Sequence, residues 1–218
     1  VTEGYQVIAR VLTEAECDRL IAELQETTRS RAGARHLMSN RAVRAIANDD
    51  RLVSIARPAL GGRAVPFRAT LFEKSGAKNW LIAWHQDTAL PLRARFDAPG
   101  WGPWSEKHGV LYAHAPAWAL QRVVALRVHL DASTPENGPL RVVPESHQAG
   151  VLNDCEVLDI AKSRTEVECL VPRGGVLAMR PLLIHSSSKC SSDKPRRVLH
   201  IEYADCLEFA PGLDLAVV

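Results

Sequence analysis

The chain is poor in the features that mark several function classes. Its five cysteines, Cys17, Cys155, Cys169, Cys190 and Cys206, are odd in number, scattered and never spaced C-x-x-C, which argues against a disulfide framework and a zinc knuckle. No apolar run approaches the ~18 residues that span a bilayer, and the first residues carry no charged-then-apolar signal pattern. No membrane partner is therefore expected, and the expected location is the cytoplasm. Charge of one sign is not in excess: 27 basic against 25 acidic side chains leave +2 without a basic run, so nucleic acid is not an expected partner. A phosphate-cradling G-x-x-x-x-G-K loop and a G-x-S-x-G nucleophile elbow are both missing. There is no internal repeat.

What remains is an ordinary globular composition. At 218 residues, 46% hydrophobic and 24% charged, the sequence predicts a single domain over 1–218 with a core of its own. A helical part is expected over about 1–62. Thr13 with Glu16 forms a T-x-x-E capping box, and Cys17, Leu20, Ile21 and Leu24 recur with helical period, which predicts a helix from Glu14 to Gln25. A basic loop follows at 30–34, then two short helices around Ala42, Val43 and Ile46 and around Leu52, Val53, Ile55 and Ala56, stopped by Gly61 and Gly62.

From about residue 63 to 206 the pattern changes to short runs rich in Val, Leu, Ile and Phe, separated by turn residues. Eight strands are predicted: Phe67–Phe72, Trp80–Trp84, Val123–Leu130, Leu140–Val143, Val167–Val171, Val176–Met179, Leu182–His185 and Val198–Tyr203. Such a set suits an antiparallel sandwich or barrel. The stretch over about 91–118 holds Trp101, Trp104, Tyr112, His114 and Trp118 among Gly and Pro without a regular period, and reads as a lid loop.

The sharpest chemical feature is Trp84-His85-Gln86-Asp87. Residues two apart on a strand point the same way, so the imidazole of His85 and the carboxylate of Asp87 can bind one metal ion. His185 at the end of an apolar run supplies a third ligand. Two His and one carboxylate leave three coordination positions open, which suits non-haem Fe(II) and O2 chemistry, whereas zinc with the same ligands would favour hydrolysis.

Four segments in order, Trp84–Asp87, Glu136–His147, Arg180–Ser187 and Pro195–Arg197, resemble the successive motifs of the phytanoyl-CoA dioxygenase family of Fe(II)- and 2-oxoglutarate-dependent oxygenases. The resemblance runs to about Tyr203. One departure is Glu145, where the family usually has Gly in a P-G-S-H turn. The resemblance implies a mainly β fold, a cupin-like double-stranded β-helix or jelly-roll, with the N-terminal helices packed on one sheet. It implies iron held by His85, Asp87 and His185, with 2-oxoglutarate and O2 as cosubstrates. The far carboxylate of 2-oxoglutarate would pair with Arg196, eleven residues after His185, and accept a hydrogen bond from Ser187. A planar guanidinium grips a carboxylate through two parallel hydrogen bonds; by strand parity the rival Arg197 points the other way.

Further candidates rest on parity or on the resemblance. Arg127 would lie beside 2-oxoglutarate or an anionic substrate, though a solvent-facing strand face explains it equally. Thr70 lies on a strand that borders the cosubstrate in the family. His200, with Glu202, shares the parity of Arg196 and faces either the cavity or solvent. Trp101, Trp104 and His114 are candidates for the substrate pocket. The implied activity is hydroxylation, or a related oxidation, of a C–H bond of a small molecule, releasing CO2 and succinate. Two alternatives remain at this point: a cupin-like metal enzyme that does not use 2-oxoglutarate, and a non-catalytic jelly-roll binding module. Neither the prime substrate nor the oligomeric state can be read from the sequence.

Overall fold

The computed structural model describes residues 1–28, 33–75, 79–192 and 194–218. The first strand, β1 (Tyr5–Ile8), precedes three helices: α1 (Glu14–Glu23), and, after a two-residue strand β2 (Gly33–Ala34), α2 (Arg41–Ala47) and α3 (Asp50–Ala56). The Thr13 hydroxyl accepts from the Glu16 amide while the Glu16 carboxylate accepts from the Thr13 N–H, so the cap legible in the sequence starts α1. Asn40 and Asp49 cap α2 and α3. Of the basic loop expected at 30–34, residues 30–32 lie outside the described residues.

The remaining elements are β3 (Val65–Lys74), β4 (Ile82–His85), β5 (Ala89–Leu92), β6 (Trp104–Lys107), β7 (Val110–His114), α4 (Ala117–Leu120), β8 (Val123–His129), β9 (Leu140–Val142), α5 (Asp154–Ser163), β10 (Val167–Cys169), β11 (Val176–Met179), β12 (His185–Ser187), β13 (Arg196–Ala204), β14 (Glu208–Ala210) and β15 (Leu213–Asp214). A six-stranded antiparallel sheet runs β1-β11-β8-β13-β3-β2, and a four-stranded one runs β10-β9-β12-β4. These two sheets form the jelly-roll. No helix among the described residues is long and apolar enough to cross a membrane.

Side-chain alternation on the large sheet decides what faces where. Val124, Leu126 and Val128 of β8, Leu199, Ile201 and Tyr203 of β13, and Ala69 and Leu71 of β3 pack with Leu20, Val43 and Leu52 of the helices. Each such Leu or Ile, fully buried, contributes roughly 1.5–3 kcal/mol. The opposite parity looks between the sheets. There Ala125, Leu177 and Met179 meet Leu140, Val142 and Cys169 of the small sheet in an apolar core, while Arg127, His200, Thr70 and Lys74 line a cavity.

Four expectations need correction. The stretch over 91–118 is not an irregular lid, because β5, β7 and β6 form a three-stranded antiparallel sheet. The hairpin between β6 and β7 turns on His108 (φ 52°) and Gly109 (φ 76°), the positive-φ pair that a tight two-residue turn needs. Trp101 and Trp104 are not pocket walls: they pack edge-on against Phe96, at 5.2 and 5.5 Å between ring centroids, in a separate apolar cluster with Leu90, Leu92 and Phe209. The run Leu182–Ile184 is not a strand, and His185 begins β12 rather than ending a strand. Finally, α5 and β1 had not been expected, although Asn153 and Glu156 form a capping box at the start of α5.

Candidate active site

His85 ends β4 and His185 begins β12, and the two are register partners across the antiparallel ladder. A hundred residues of sequence separation thus close to 4.2 Å between ring centroids. The chain leaves β4 through Gln86, whose side-chain amide donates to the carbonyls of Gly150 and Leu182 and whose oxygen accepts from the Leu152 N–H. Asp87 follows with its N–H on the Pro181 carbonyl. These contacts tie the His-x-Asp turn to the segment that delivers His185. Its oxygens lie 3.7 Å from His85 Nε2 and 3.5 Å from His185 Nε2.

The donor set fits a metal ion. Both imidazoles place Nδ1 at 2.8 Å from a backbone carbonyl, His85 on Ala83 and His185 on Leu183. A carbonyl only accepts, so Nδ1 carries the proton and Nε2 presents its lone pair, the arrangement in which metal-binding histidines are held. Burial pushes His185 down to about 4, which keeps that lone pair free at neutral pH. Burial alone would raise the carboxyl of Asp87, but His185 and His85 outweigh it and hold Asp87 well below the usual carboxylate range. The ligand atoms of the three residues lie within 4.8 Å of one another, and they are the one such cluster among the described residues.

The triad opens into a cavity of about 430 Å³ whose lining includes six cationic side chains, Arg35, Arg68, Lys74, Lys107, Arg127 and Arg196, against one carboxylate, Asp87. Among the described residues, only Arg68 is neutralised, by a two-pronged ion pair with the buried Glu202 behind it. Lys74, Arg127 and Arg196 are 1%, 6% and 4% exposed, and none has a carboxylate partner among the described residues. Arg127 lies over the Phe72 ring, places Nη1 3.2 Å from His200 Nδ1 and leaves its Nε unsatisfied. Burial, then Arg127, lowers His200 well below its ordinary value and Arg196 to about 10, so Arg196 remains charged.

The Glu136–His147 segment builds the floor of this charged end. Gly138 takes φ 66°, and a Cβ there would stand 2.4 Å from the Ser188 carbonyl, so both conformation and space require glycine. The turn it makes aims two carbonyls inward: Asn137 accepts from Arg196 Nε and Gly138 accepts from Ser187 Oγ. Further on, Ser146 Oγ accepts from the Ile184 N–H and fixes the approach to His185. Glu145 takes the left-handed conformation (φ 64°) that the glycine it replaces would adopt freely.

The expected site residues therefore separate cleanly. His85, Asp87, His185, Ser187, Arg196, Arg127, Thr70, His200 and His114 all line the cavity; Trp101 and Trp104 do not. Arg197 points out of the cavity and is bound to Asp131. His114 is held at 2.7 Å from Thr88 Oγ1. Sequence reasoning missed Lys74, Arg35 and Lys107. For Lys74 a signal existed, since it shares strand parity with Thr70.

The chain is similar to an L-proline trans-4-hydroxylase of Streptomyces griseoviridis, 27% identical over 178 residues, which covers 70% of this chain and 59% of that protein. It thus spans about three fifths of the length of that relative. Among solved structures, HygX from Streptomyces hygroscopicus with nickel and 2-oxoglutarate bound superposes with a TM-score of 0.68 at 19% identity, covering 93% of this chain and 83% of that one. EctD from S. alaskensis with 2-oxoglutarate and 5-hydroxyectoine gives 0.69 at 21% identity, covering 93% and 72%. At such identity these two establish the jelly-roll alone. The sequence pattern of the phytanoyl-CoA dioxygenase (PhyH) family, whose members are non-haem iron and 2-oxoglutarate-dependent oxygenases, matches residues 1–198, and the chain belongs to that family.

Proposed function

We propose that this chain is an Fe(II)- and 2-oxoglutarate-dependent hydroxylase acting on a small molecule that bears a carboxylate. The observation that carries the reading is one cavity with two parts: a His-Asp-His cluster with Nε2 lone pairs turned inward, and buried cations without a carboxylate partner among the described residues. His85, Asp87 and His185 would hold iron, and three further coordination positions would remain for cosubstrates. When bound, iron with O2 and 2-oxoglutarate supplies an oxidant for an unactivated C–H bond, while 2-oxoglutarate leaves as CO2 and succinate. The protein supplies position and charge. Arg196 binds the far carboxylate, with Thr70 and Arg127 along the wall and Ser187 at the floor. His114 and His200 border the space left for the prime substrate.

Charge directs the substrate class. Arg35 and Lys107 lie exposed at the cavity lining beyond the buried cations, and neither is needed by a 2-oxoglutarate held at Arg196. They favour an anionic group on the prime substrate. The relative that hydroxylates L-proline acts on such a molecule. The five cysteines are all unpaired, in line with a reducing cytoplasm.

The test is succinate formation from 2-oxoglutarate by the iron-loaded protein, with free amino acids and other small carboxylic acids offered beside their amides. An acid that raises turnover where its amide does not supports the reading. If 2-oxoglutarate is not consumed and iron does not bind, the reading fails.

A further inference from the structure

Arg68 and Glu202 are register partners on β3 and β13, and a two-pronged ion pair joins them, with Glu202 1% exposed. The guanidinium makes a further contact at the exit of the metal turn, where Nη1 donates to the Ala89 carbonyl at 2.9 Å. Ala89 is two residues after Asp87, and Arg68 and Asp87 line the same cavity. A charged guanidinium is thus fixed two residues from a carboxylate that has to stay open for a metal ion. Among the described residues, however, no ion pair joins Arg68 to Asp87.

Glu202 supplies what Asp87 would otherwise offer. A carboxylate matches the fork of a guanidinium through two parallel hydrogen bonds, and Glu202 takes the edge formed by Nε and Nη2. With Ala89 on Nη1, three of the five N–H bonds of Arg68 are engaged. On the other side of Glu202 stands His200, whose Nε2 is 3.8 Å from Oε1 and whose Nδ1 accepts from Arg127 Nη1 at 3.2 Å. Burial lowers His200 well below its ordinary value, so it brings no charge, and the charge of Glu202 is left to balance Arg68.

We propose that Glu202 is a positioning residue for the metal centre: by binding Arg68 it keeps the guanidinium off Asp87 and leaves that carboxylate free to ligate iron. The inference rests on the reading of His85, Asp87 and His185 as iron ligands, and it adds a residue that lies outside both the triad and the cosubstrate contacts.

Charge supports it. Burial lowers Arg68 from its ordinary value, and Tyr112 and Asp87 act against that. Against burial, which raises the Asp87 carboxyl, His185, His85, His200 and then Arg68 hold it down. Arg68 and Asp87 therefore act on each other across the cavity. An iron ion brings two positive charges to Asp87, and an uncompensated third on Arg68 would repel it. A guanidinium swung onto Asp87 would also occupy the lone pairs that the metal needs. With Glu202 in place, Arg68 is neutralised and held still.

The experiment is anaerobic calorimetric titration of the metal-free protein with Fe(II), on wild type, Glu202→Gln, Arg68→Met and the double variant, each checked for fold by circular dichroism. Glu202→Gln is expected to bind Fe(II) about tenfold more weakly or worse, because Arg68 then turns to Asp87. Adding Arg68→Met is expected to restore the affinity to within about threefold of wild type, a coupling that packing alone does not produce. Arg68→Met by itself is expected to bind Fe(II) as wild type does. Wild-type affinity in Glu202→Gln, or equal weakening in Glu202→Gln and the double variant, would overturn the proposal while leaving the oxygenase reading intact. A loss in Arg68→Met as large as in Glu202→Gln would make Arg68 a brace of the metal turn through Ala89 and overturn it too. Should Glu202→Gln not fold, the other two variants still decide, since an affinity about tenfold below wild type in either one contradicts the proposal. If wild type itself binds no Fe(II), the iron reading and the proposal fall together.

Discussion

His185 stands opposite His85 across one antiparallel ladder, and each imidazole turns its Nε2 inward because its Nδ1 is tied to the carbonyl two residues before it. The two histidines thus share one local device, repeated on neighbouring strands. Asp87 is brought to both by a turn that Gln86 pins from behind.

Replacing any of the three should remove the metal. His85→Ala, Asp87→Ala and His185→Ala are each expected to abolish stoichiometric Fe(II) binding and 2-oxoglutarate turnover while leaving a folded protein. Metal content after gel filtration checks the first and succinate release the second. Full metal retention in Asp87→Ala would refute the ligand assignment.

Arg196 and Arg197 offer a paired control. Arg196→Ala removes a charge-assisted contact of ~1.5–3 kcal/mol, so the 2-oxoglutarate affinity should fall ~10- to 150-fold. Arg197→Ala breaks the ion pair with Asp131 outside the cavity and should leave that affinity unchanged. Titration of both variants with 2-oxoglutarate separates them.

Arg35 and Lys107 are expected to act on the prime substrate alone. Arg35→Ala combined with Lys107→Ala should raise the KM for an acidic prime substrate, with the 2-oxoglutarate requirement unaltered. The two KM values, measured in the same assay, check this. A rise in the 2-oxoglutarate KM instead would move these cations to the cosubstrate.

The pH dependence of stability follows from Lys74. Its folded value of about 7 lies below the ordinary 10.5, so between those limits the unfolded chain binds more protons and stability rises with pH. Below about 7 the penalty of the buried charge is fully present. Without 2-oxoglutarate, wild type should therefore gain stability relative to Lys74→Met between pH 7 and 9.5, as read by urea denaturation at each pH.

Glu145 is exposed and left-handed, a conformation that costs a side-chain-bearing residue ~1–2 kcal/mol. Glu145→Gly relieves it, and part of the gain is lost to the greater freedom of glycine in the unfolded chain. A net stabilisation of ~0.5–1 kcal/mol is expected, with Glu145→Val destabilising; thermal unfolding of both variants checks the sign.

Much of the site was legible because strand parity is local. The alternation Arg196, Val198, His200, Glu202 was enough to turn Arg196 inward and Arg197 outward, and the structure follows it. The His-x-Asp pair comes together by another route, since β4 ends at His85 and Asp87 follows in a turn that Gln86 pins. Lys74 was not legible as a site residue, since its meaning depends on register with a strand 122 positions later and on Ser187 across the cavity. The hairpin after Trp104 was hidden by the Gly and Pro around it, although His108-Gly109 carried the turn signal. Trp101 and Trp104 misled because aromatic residues in a loop-like stretch suit a pocket or a plug equally, and here Phe96 and Phe209 make the plug.

The most direct test of the central claim is anaerobic titration of the metal-free protein with Fe(II) and then 2-oxoglutarate, followed by visible absorption. The account predicts that the charge-transfer band of an iron and 2-oxo acid chelate appears in wild type and is absent in His185→Ala. Iron binding without the band, or the same band in His185→Ala, would contradict it.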